Sequence, residues 1–102
     1  MTNETLETFK NRRSCRAYKP EQITDEELNA VLEAGTYAAS GMGRQSAKIV
    51  VVQDAATRAR LSRMNAQIMG SSGDPMYGAP TILVVLADAN NYNAVPDGSL
   101  VM

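Results

Sequence analysis

The chain has 102 residues, of which 44% are hydrophobic and 21% are charged, and its formal net charge is −1. This length allows one domain at most, the composition is that of a globular protein, and the near-neutral charge argues against general nucleic-acid binding. There is no histidine and only one cysteine, which excludes His-dependent catalytic triads and an ordinary structural zinc site. No apolar run reaches the roughly 20 residues that cross a bilayer.

The first two predicted elements are helices. One runs from about Asn3 to Arg12, with Leu6 and Phe9 three residues apart on its apolar face. The other begins in "ITDEELNAVLEAG", where Thr24 is a good N-cap and Glu27, three residues on, completes a capping box. A polar, glycine-bearing loop, "ASGMGRQSA", follows the second helix.

The second half of the chain predicts a small sheet. Lys48–Gln53 and Thr81–Ala87 are β-branched apolar runs typical of buried strands, and between them lies a helix capped by Asp54. The long connection favours a right-handed crossover between parallel strands. The expected fold class is α+β, with helices covering a small mixed sheet. The final "DGSLVM" is typical of the first turn of a longer helix, so the sequence predicts that the chain is incomplete.

Basic residues crowd into one short stretch around "NRRSCRAYKP", which contains no carboxylate. Half of all the Lys and Arg residues lie there: Lys10, Arg12, Arg13, Arg16 and Lys19. Cations in the last turn of a helix interact favourably with its dipole, by about 0.3–1 kcal/mol. Alternatively, guanidinium groups with the Ser14 hydroxyl make a good phosphate site. Charge alone leaves both interpretations open.

The order of these motifs resembles the opening of the FMN-dependent nitroreductase family. The pattern is Arg-Arg-Ser-x-Arg-x-Tyr, a capped helix, and a Ser-Gly-x-x-Arg-Gln loop leading into a strand; "DPMYGAPTILVVLAD" resembles the loop and strand that follow. The resemblance extends from about Leu6 to Met102. It implies that residues 1–102 form a single domain, the N-terminal part of a nitroreductase-like FMN-binding domain that ends before the central helix.

The resemblance also implies a flavin site in the basic stretch. Arg12 and Ser14 would hold the phosphate and ribityl end of FMN, and Arg13 would contribute nearby. Arg16 would reach the pyrimidine edge of the flavin ring, where a fixed cation stabilises the negative charge that reduction produces. Cys15 is expected to be a small buried hydrophobe pointing away from Ser14 and Arg16.

Further flavin contacts are implied in the glycine-bearing loop, which in the family approaches the flavin from the partner subunit. Ser40, Gly41 and Gln45 are the matching positions, and the loop's polar groups have no evident partner within its own motif. Asn65 on the third helix matches a flavin-contacting position. For the loop, the alternative is an ordinary helix C-terminal loop that uses glycine for positive φ. For Asn65, the alternative is an ordinary exposed Asn on a helix. The loop departs from many relatives at Ala39, Gly43 and Ser46-Ala47.

By resemblance, the expected function is an FMN-dependent oxidoreductase that uses NAD(P)H to reduce nitroaromatic, quinone or related acceptors by a ping-pong mechanism. It would act as a homodimer with flavin at the interface, without nucleic-acid, membrane or metal partners. A lone cysteine and an acidic start with no signal-peptide character favour the cytoplasm. The alternative is a non-catalytic flavin- or phosphate-binding or dimerising fragment that lacks the second half of the site.

Overall fold

The computed structural model describes residues 1–102. Four helices are arranged around a two-stranded sheet. In chain order the elements are α1 (Glu4–Asn11), α2 (Asp25–Thr36), a 3₁₀ turn (Gly41–Gly43), β1 (Lys48–Val52), α3 (Ala55–Met69), β2 (Ile82–Leu86) and α4 (Ala94–Val101). Of the four helices, α4 makes the most extensive contact with the sheet, against β2. No helix is long and apolar enough to cross a membrane.

Local capping chemistry starts three of the helices where the sequence predicts. The Leu6 amide donates to Asn3 Oδ1 at 2.9 Å at the start of α1. Thr24 and Glu27 form both halves of the predicted capping box at α2. Asp54 accepts from the Thr57 amide at 2.9 Å at α3. Each cap satisfies backbone donors that have no partner inside the helix, and all three predicted helices are confirmed.

The two strands pair antiparallel, with Lys48 opposite Leu86 and Val52 opposite Ile82. Both predicted strands are confirmed, and the α+β class holds, but the predicted parallel pairing and its crossover are wrong. In an antiparallel pair, β2 must begin beside the end of β1 rather than beside its start. The chain must therefore return to the end of β1 after α3.

The return is made by the segment between α3 and β2. Gly70 adopts φ 69° at the end of α3, a left-handed conformation that glycine takes without strain, and turns the chain out of the helix. The following loop then runs back along α3: Ser62 Oγ donates to Asp74 Oδ1 at 2.7 Å, and Arg58 Nη1 donates to the Ala79 carbonyl at 3.1 Å. These contacts deliver Thr81 to the end of β1, which explains the antiparallel pairing.

Very little of the molecule is buried. Only five residues lie in the interior: Ala66, Ile82, Asn91, Asp97 and Gly98. The expectation of buried strands is wrong, since Val50 on β1 is 43% exposed and Leu86 on β2 is 49% exposed. Cys15 is also exposed rather than buried, and its thiol donates to the Ala17 carbonyl. Large apolar surfaces of this chain are thus left open.

Three carboxylates accept hydrogen bonds at the starts of α2 and α3 and in the α3–β2 loop. These hydrogen bonds predict a loss of stability in acid. The Thr24 backbone amide lowers the pKa of Glu27, the Thr57 hydroxyl lowers the pKa of Asp54, and the Ser62 hydroxyl lowers the pKa of Asp74. Because these pKa values are lower in the folded than in the unfolded chain, the stabilisation is complete above the ordinary carboxyl range. It is lost as the pH falls through the folded values.

We expect Asp74→Asn to reduce this pH dependence, because the substitution removes a titrating acceptor of three hydrogen bonds. Urea unfolding of wild type and variant at about pH 7 and about pH 3 measures the effect. The free energy of unfolding should fall less for Asp74→Asn than for wild type between the two values. An equal fall in both proteins would contradict the assigned coupling.

Candidate functional site

The basic segment, which we define as Arg12–Lys19, leaves the end of α1 as exposed, irregular chain. Arg12 has φ −59° and ψ 138°, which ends the helix and starts an extended path. All residues of the segment are exposed to solvent. Its side chains are accordingly accessible to a ligand.

The three arginines of this segment differ in what they contact. Arg13 Nη1 donates to the carbonyls of Lys10 and Arg12 at 3.1 and 3.0 Å, so this guanidinium caps the end of α1. The guanidinium groups of Arg12 and Arg16 make no hydrogen bond within the chain, and the one ion pair joins Lys10 to Glu7. The Ser14 hydroxyl is likewise without a partner in the chain. The helix-end interpretation therefore describes Arg13, whereas Arg12, Ser14 and Arg16 keep their donors available for an anion.

The second predicted part of the site is the Ser40–Gln45 loop, which has an unusual backbone. Met42 and Gln45 adopt φ values of 55° and 49°, and Gly43 adopts 67°. Positive φ costs a glycine nothing, but it strains Met and Gln by roughly 1 kcal/mol or more each. Such a loop keeps its shape only if the surrounding structure holds it.

Contacts within the chain hold this loop. The backbone amide of Gln45 donates to Ser40 Oγ at 3.0 Å. The side-chain Nε2 of Gln45 donates to the Thr36 carbonyl, at the end of α2, at 3.1 Å. The Ser40 hydroxyl proton and Gln45 Oε1 stay available. The expectation that the loop's polar groups have no partner within their own motif is therefore wrong for Ser40 and Gln45, which bond to each other.

Three residues that the sequence interpretation overlooked supply the long-range contacts: Asn91, Asn93 and Asp97. The Gly41 amide donates to Asp97 Oδ1 at 2.8 Å, and Asn93 Nδ2 donates to the same oxygen at 2.7 Å. Asn91 Nδ2 donates to Ser46 Oγ at 2.7 Å. The only sequence signal was a run of short polar side chains, "NNYNAVPDGS", at the start of an otherwise apolar helix.

The short distance between Gly41 and Asn93 explains why a glycine occupies position 41. A Cβ atom there would lie 2.8 Å from Asn93 Nδ2, closer than real Cβ contacts allow, and 3.0–3.1 Å from two further atoms of Asn93. Glycine is thus required for the close approach of the Ser40–Gln45 loop to the start of α4. Arg44 adds a further contact, with its guanidinium carbon 5.4 Å from the centre of the Tyr92 ring.

A cavity of about 320 Å³ lies between α2, β1, α4 and this loop. Its lining includes Leu32, Gly35, Ser40, Gln45, Ile49 and Asp97. The predicted residues Ser40 and Gln45 therefore face one mainly apolar space. Asn65 lies elsewhere, half-buried on α3, and its side chain makes no hydrogen bond.

The chain by itself does not join the two halves of the predicted site. No hydrogen bond connects the basic segment to the Ser40–Gln45 loop. Free guanidinium groups beside a hydroxyl fit an anionic, phosphate-like group, and the loop offers a hydroxyl and an amide oxygen to a polar ring edge. These features define an α+β protein with a candidate anion site after its first helix and a second polar loop beside an apolar cavity.

The chain belongs to the nitroreductase family, whose family model matches residues 9–76. Among solved structures, it is similar to a nitroreductase with bound FMN from Bacteroides fragilis NCTC 9343, at 34% identity and a TM-score of 0.84 over 98% of this chain. A nitroreductase with bound FMN from Desulfitobacterium hafniense DCB-2 gives 33% identity and a TM-score of 0.86 over 99% of this chain. The expected nitroreductase-like fold is confirmed.

The chain is shorter than these relatives. It covers 60% and 61% of the two solved chains. A curated relative, the FMN reductase [NAD(P)H] of Bacillus subtilis (strain 168), is 29% identical over 89 residues, which are 86% of this chain but 33% of that protein. The chain thus spans less than two thirds of the length of each of these relatives.

Proposed function

We propose that this chain contributes to the FMN site of an NAD(P)H-dependent oxidoreductase. The observation that carries the proposal is the pair of unpartnered arginines, Arg12 and Arg16, flanking the free Ser14 hydroxyl on an exposed extended segment. Two solved relatives are described with bound FMN, and a curated relative is an FMN reductase. Residues 1–102 would form one part of a single FMN-binding domain.

The residues present fit a flavin mononucleotide in distinct ways. Arg12 and Ser14 would bind the phosphate, because a guanidinium fork and a hydroxyl donate to phosphate oxygens. Arg16 would place a cation at the polar edge of the ring. Arg13 would add positive charge nearby, although its Nη1 also caps α1. Ser40, Gly41, Gln45 and Asn65 would supply polar contacts from the other side of the site.

Bound FMN would supply the hydride chemistry. The chain itself contains no histidine and no group of side chains that could hold a metal ion. The contribution of the protein is position and electrostatics. An exposed basic segment also favours the approach of an anionic nicotinamide nucleotide. We propose that NAD(P)H and a nitroaromatic, quinone or related acceptor occupy the same place in turn. Parallel double-reciprocal lines are the kinetic signature of such a ping-pong mechanism.

A homodimer is proposed because the chain exposes far more surface than a folded monomer of its mass. Its accessible area is 7984 Å², whereas a monomer of 11.0 kDa exposes about 5,600 Å². Its radius of gyration is 15.7 Å, against about 13 Å for a compact chain of this length. The excess of about 2,400 Å² per chain is surface that the rest of a single FMN-binding domain and a partner chain would cover between them.

The apolar content of this open surface supports the same proposal. Side chains on α1, α3, β2 and α4 are prominent in it: Phe9 is 71% exposed, Ile68 85%, Leu86 49% and Leu100 58%. A partner chain would cover them and bring a second Ser40–Gln45 loop to the basic segment.

We also propose that the protein acts in the cytoplasm, where the free Cys15 thiol stays reduced.

One experiment tests the cofactor and the assembly together. FMN is added to the purified protein, flavin fluorescence and absorbance are followed, and light scattering gives the number of chains per particle. The expected result is saturable binding of one FMN per chain in particles of two chains. A stable flavin-bound monomer would contradict the dimer, and absence of saturable binding would favour a non-catalytic dimerising chain.

A further inference from the structure

We propose that Asp97 is a positioning residue that holds the Ser40–Gln45 loop in its flavin-binding shape, a role that rests on the function proposed above. Asp97 is 1% exposed and is the largest fully buried side chain of the molecule. It lies in the first turn of α4, 56 residues away from the loop amide that it binds. Its burial in such an open chain marks this contact as specific.

The geometry shows how one oxygen performs the task. Asp97 Oδ1 accepts from the Gly41 amide at 2.8 Å and from Asn93 Nδ2 at 2.7 Å. The Gly41 amide begins the 3₁₀ turn, so the bond fixes where the loop starts. Asn93 in turn lies within 3.1 Å of the place where a Gly41 Cβ would stand. The bond therefore forms where the loop approaches Asn93 too closely to leave room for a side chain at position 41.

The loop needs such an anchor because its backbone is strained. Met42 and Gln45 have positive φ, and these conformations persist only where the surroundings impose them. Asn91 provides a second point of attachment through Ser46 Oγ at 2.7 Å, just after the loop. Two attachments from the segment before and within α4 bracket the strained residues. Release of the Asp97 contact would let Ser40 and Gln45 leave the positions that the flavin site requires.

The other oxygen, Oδ2, is buried without any hydrogen-bond partner. A buried polar atom without a partner lowers stability, so this side chain is poorly explained as a stabilising core residue. A role in fixing the loop explains why a carboxyl group occupies the position. The difference between the two oxygens also provides a matched pair of variants. Asp97→Ala removes the acceptor, whereas Asp97→Asn retains a side-chain oxygen that can accept from Gly41 and replaces the unpartnered oxygen by an uncharged NH2 group.

The first measurement is hydrogen exchange of the Gly41 amide in the flavin-free protein. We expect exchange at Gly41 to accelerate about tenfold or more in Asp97→Ala, as loss of a buried acceptor predicts, and to stay near the wild-type rate in Asp97→Asn. The second is the dissociation constant of FMN, with the visible circular dichroism of the bound flavin. Asp97→Ala should bind FMN about tenfold more weakly with an altered spectrum, and Asp97→Asn should restore both.

The control is Asp54→Ala, which removes the cap of α3 without touching the loop. It should lower the melting temperature and leave the FMN spectrum as in wild type. Unchanged Gly41 exchange in Asp97→Ala, or faster exchange with wild-type FMN affinity, would overturn the proposal. If wild type binds no FMN, the proposed function fails, and Gly41 exchange still reports whether the anchor exists.

A second variant covers the case in which Asp97→Ala does not fold. Asn91→Ala removes the attachment at Ser46 and leaves Asp97 in place. It should accelerate exchange of the Gln45 amide and weaken FMN binding by about threefold, the loss expected for one neutral hydrogen bond. Wild-type exchange and affinity in Asn91→Ala would overturn the inference that α4 and the segment before it position the loop.

Discussion

Arg12→Ala should weaken FMN binding by about 1.5–3 kcal/mol, the worth of a charge-assisted hydrogen bond, which is roughly a 10- to 150-fold rise in dissociation constant. Arg12 is exposed and has no partner within the chain, so its guanidinium is available to the phosphate without breaking a native contact. The phosphate keeps the same charge whether the flavin ring is oxidised or reduced. The reduction potential of flavin that remains bound should accordingly change little. Fluorescence titration measures the affinity.

Two further variants make this measurement specific. Arg60→Ala removes an exposed arginine on α3 and should leave FMN affinity unchanged, which controls for net charge. Arg12→Lys retains the charge but loses the planar fork, so its affinity should lie between those of wild type and Arg12→Ala. If Arg12 were only a cation at the end of α1, Arg12→Ala would change stability by under about 1 kcal/mol and leave flavin binding untouched.

Arg16→Ala should lower the reduction potential of bound FMN. In the proposed site its cation would face the ring edge where negative charge develops on reduction, so the contact would be stronger in the reduced state. A difference of about 1.5–3 kcal/mol corresponds to roughly 30–65 mV for a two-electron couple. The rate of flavin reduction by NAD(P)H should fall with it.

A redox titration of the flavin-loaded protein, under saturating FMN, checks this expectation. Arg12→Ala is the matched control, since it removes the same kind of side chain four positions earlier in the same exposed segment and should alter affinity rather than potential. Equal potentials for wild type and Arg16→Ala would refute the role of Arg16 at the ring. A lowered potential in both variants would indicate that the arginines act only through general positive charge.

Local features of this protein were predictable from sequence because their partners lie within three or four residues. The Thr24 and Glu27 capping box, the Asp54 cap and the two β-branched runs involve contacts or propensities of adjacent residues. Such interactions form in the same way whatever the rest of the chain does. The motif order around the basic segment was readable for the same reason, since it depends on residue types along a continuous stretch.

Only the tertiary structure decided the strand direction and the support of the candidate site. The antiparallel pairing of β1 and β2 depends on the contacts of Arg58 and Ser62, which hold the α3–β2 loop along α3. The hydrophobic periodicity of the sequence gives no indication of these contacts. Asp97 binds Gly41 across 56 residues, and in sequence it is indistinguishable from a favourable acid in the first turn of a helix. Burial and long-range partners are properties of the packed chain, which is why the sequence could predict a role for the arginines but gave no sign of the contact between Asp97 and Gly41.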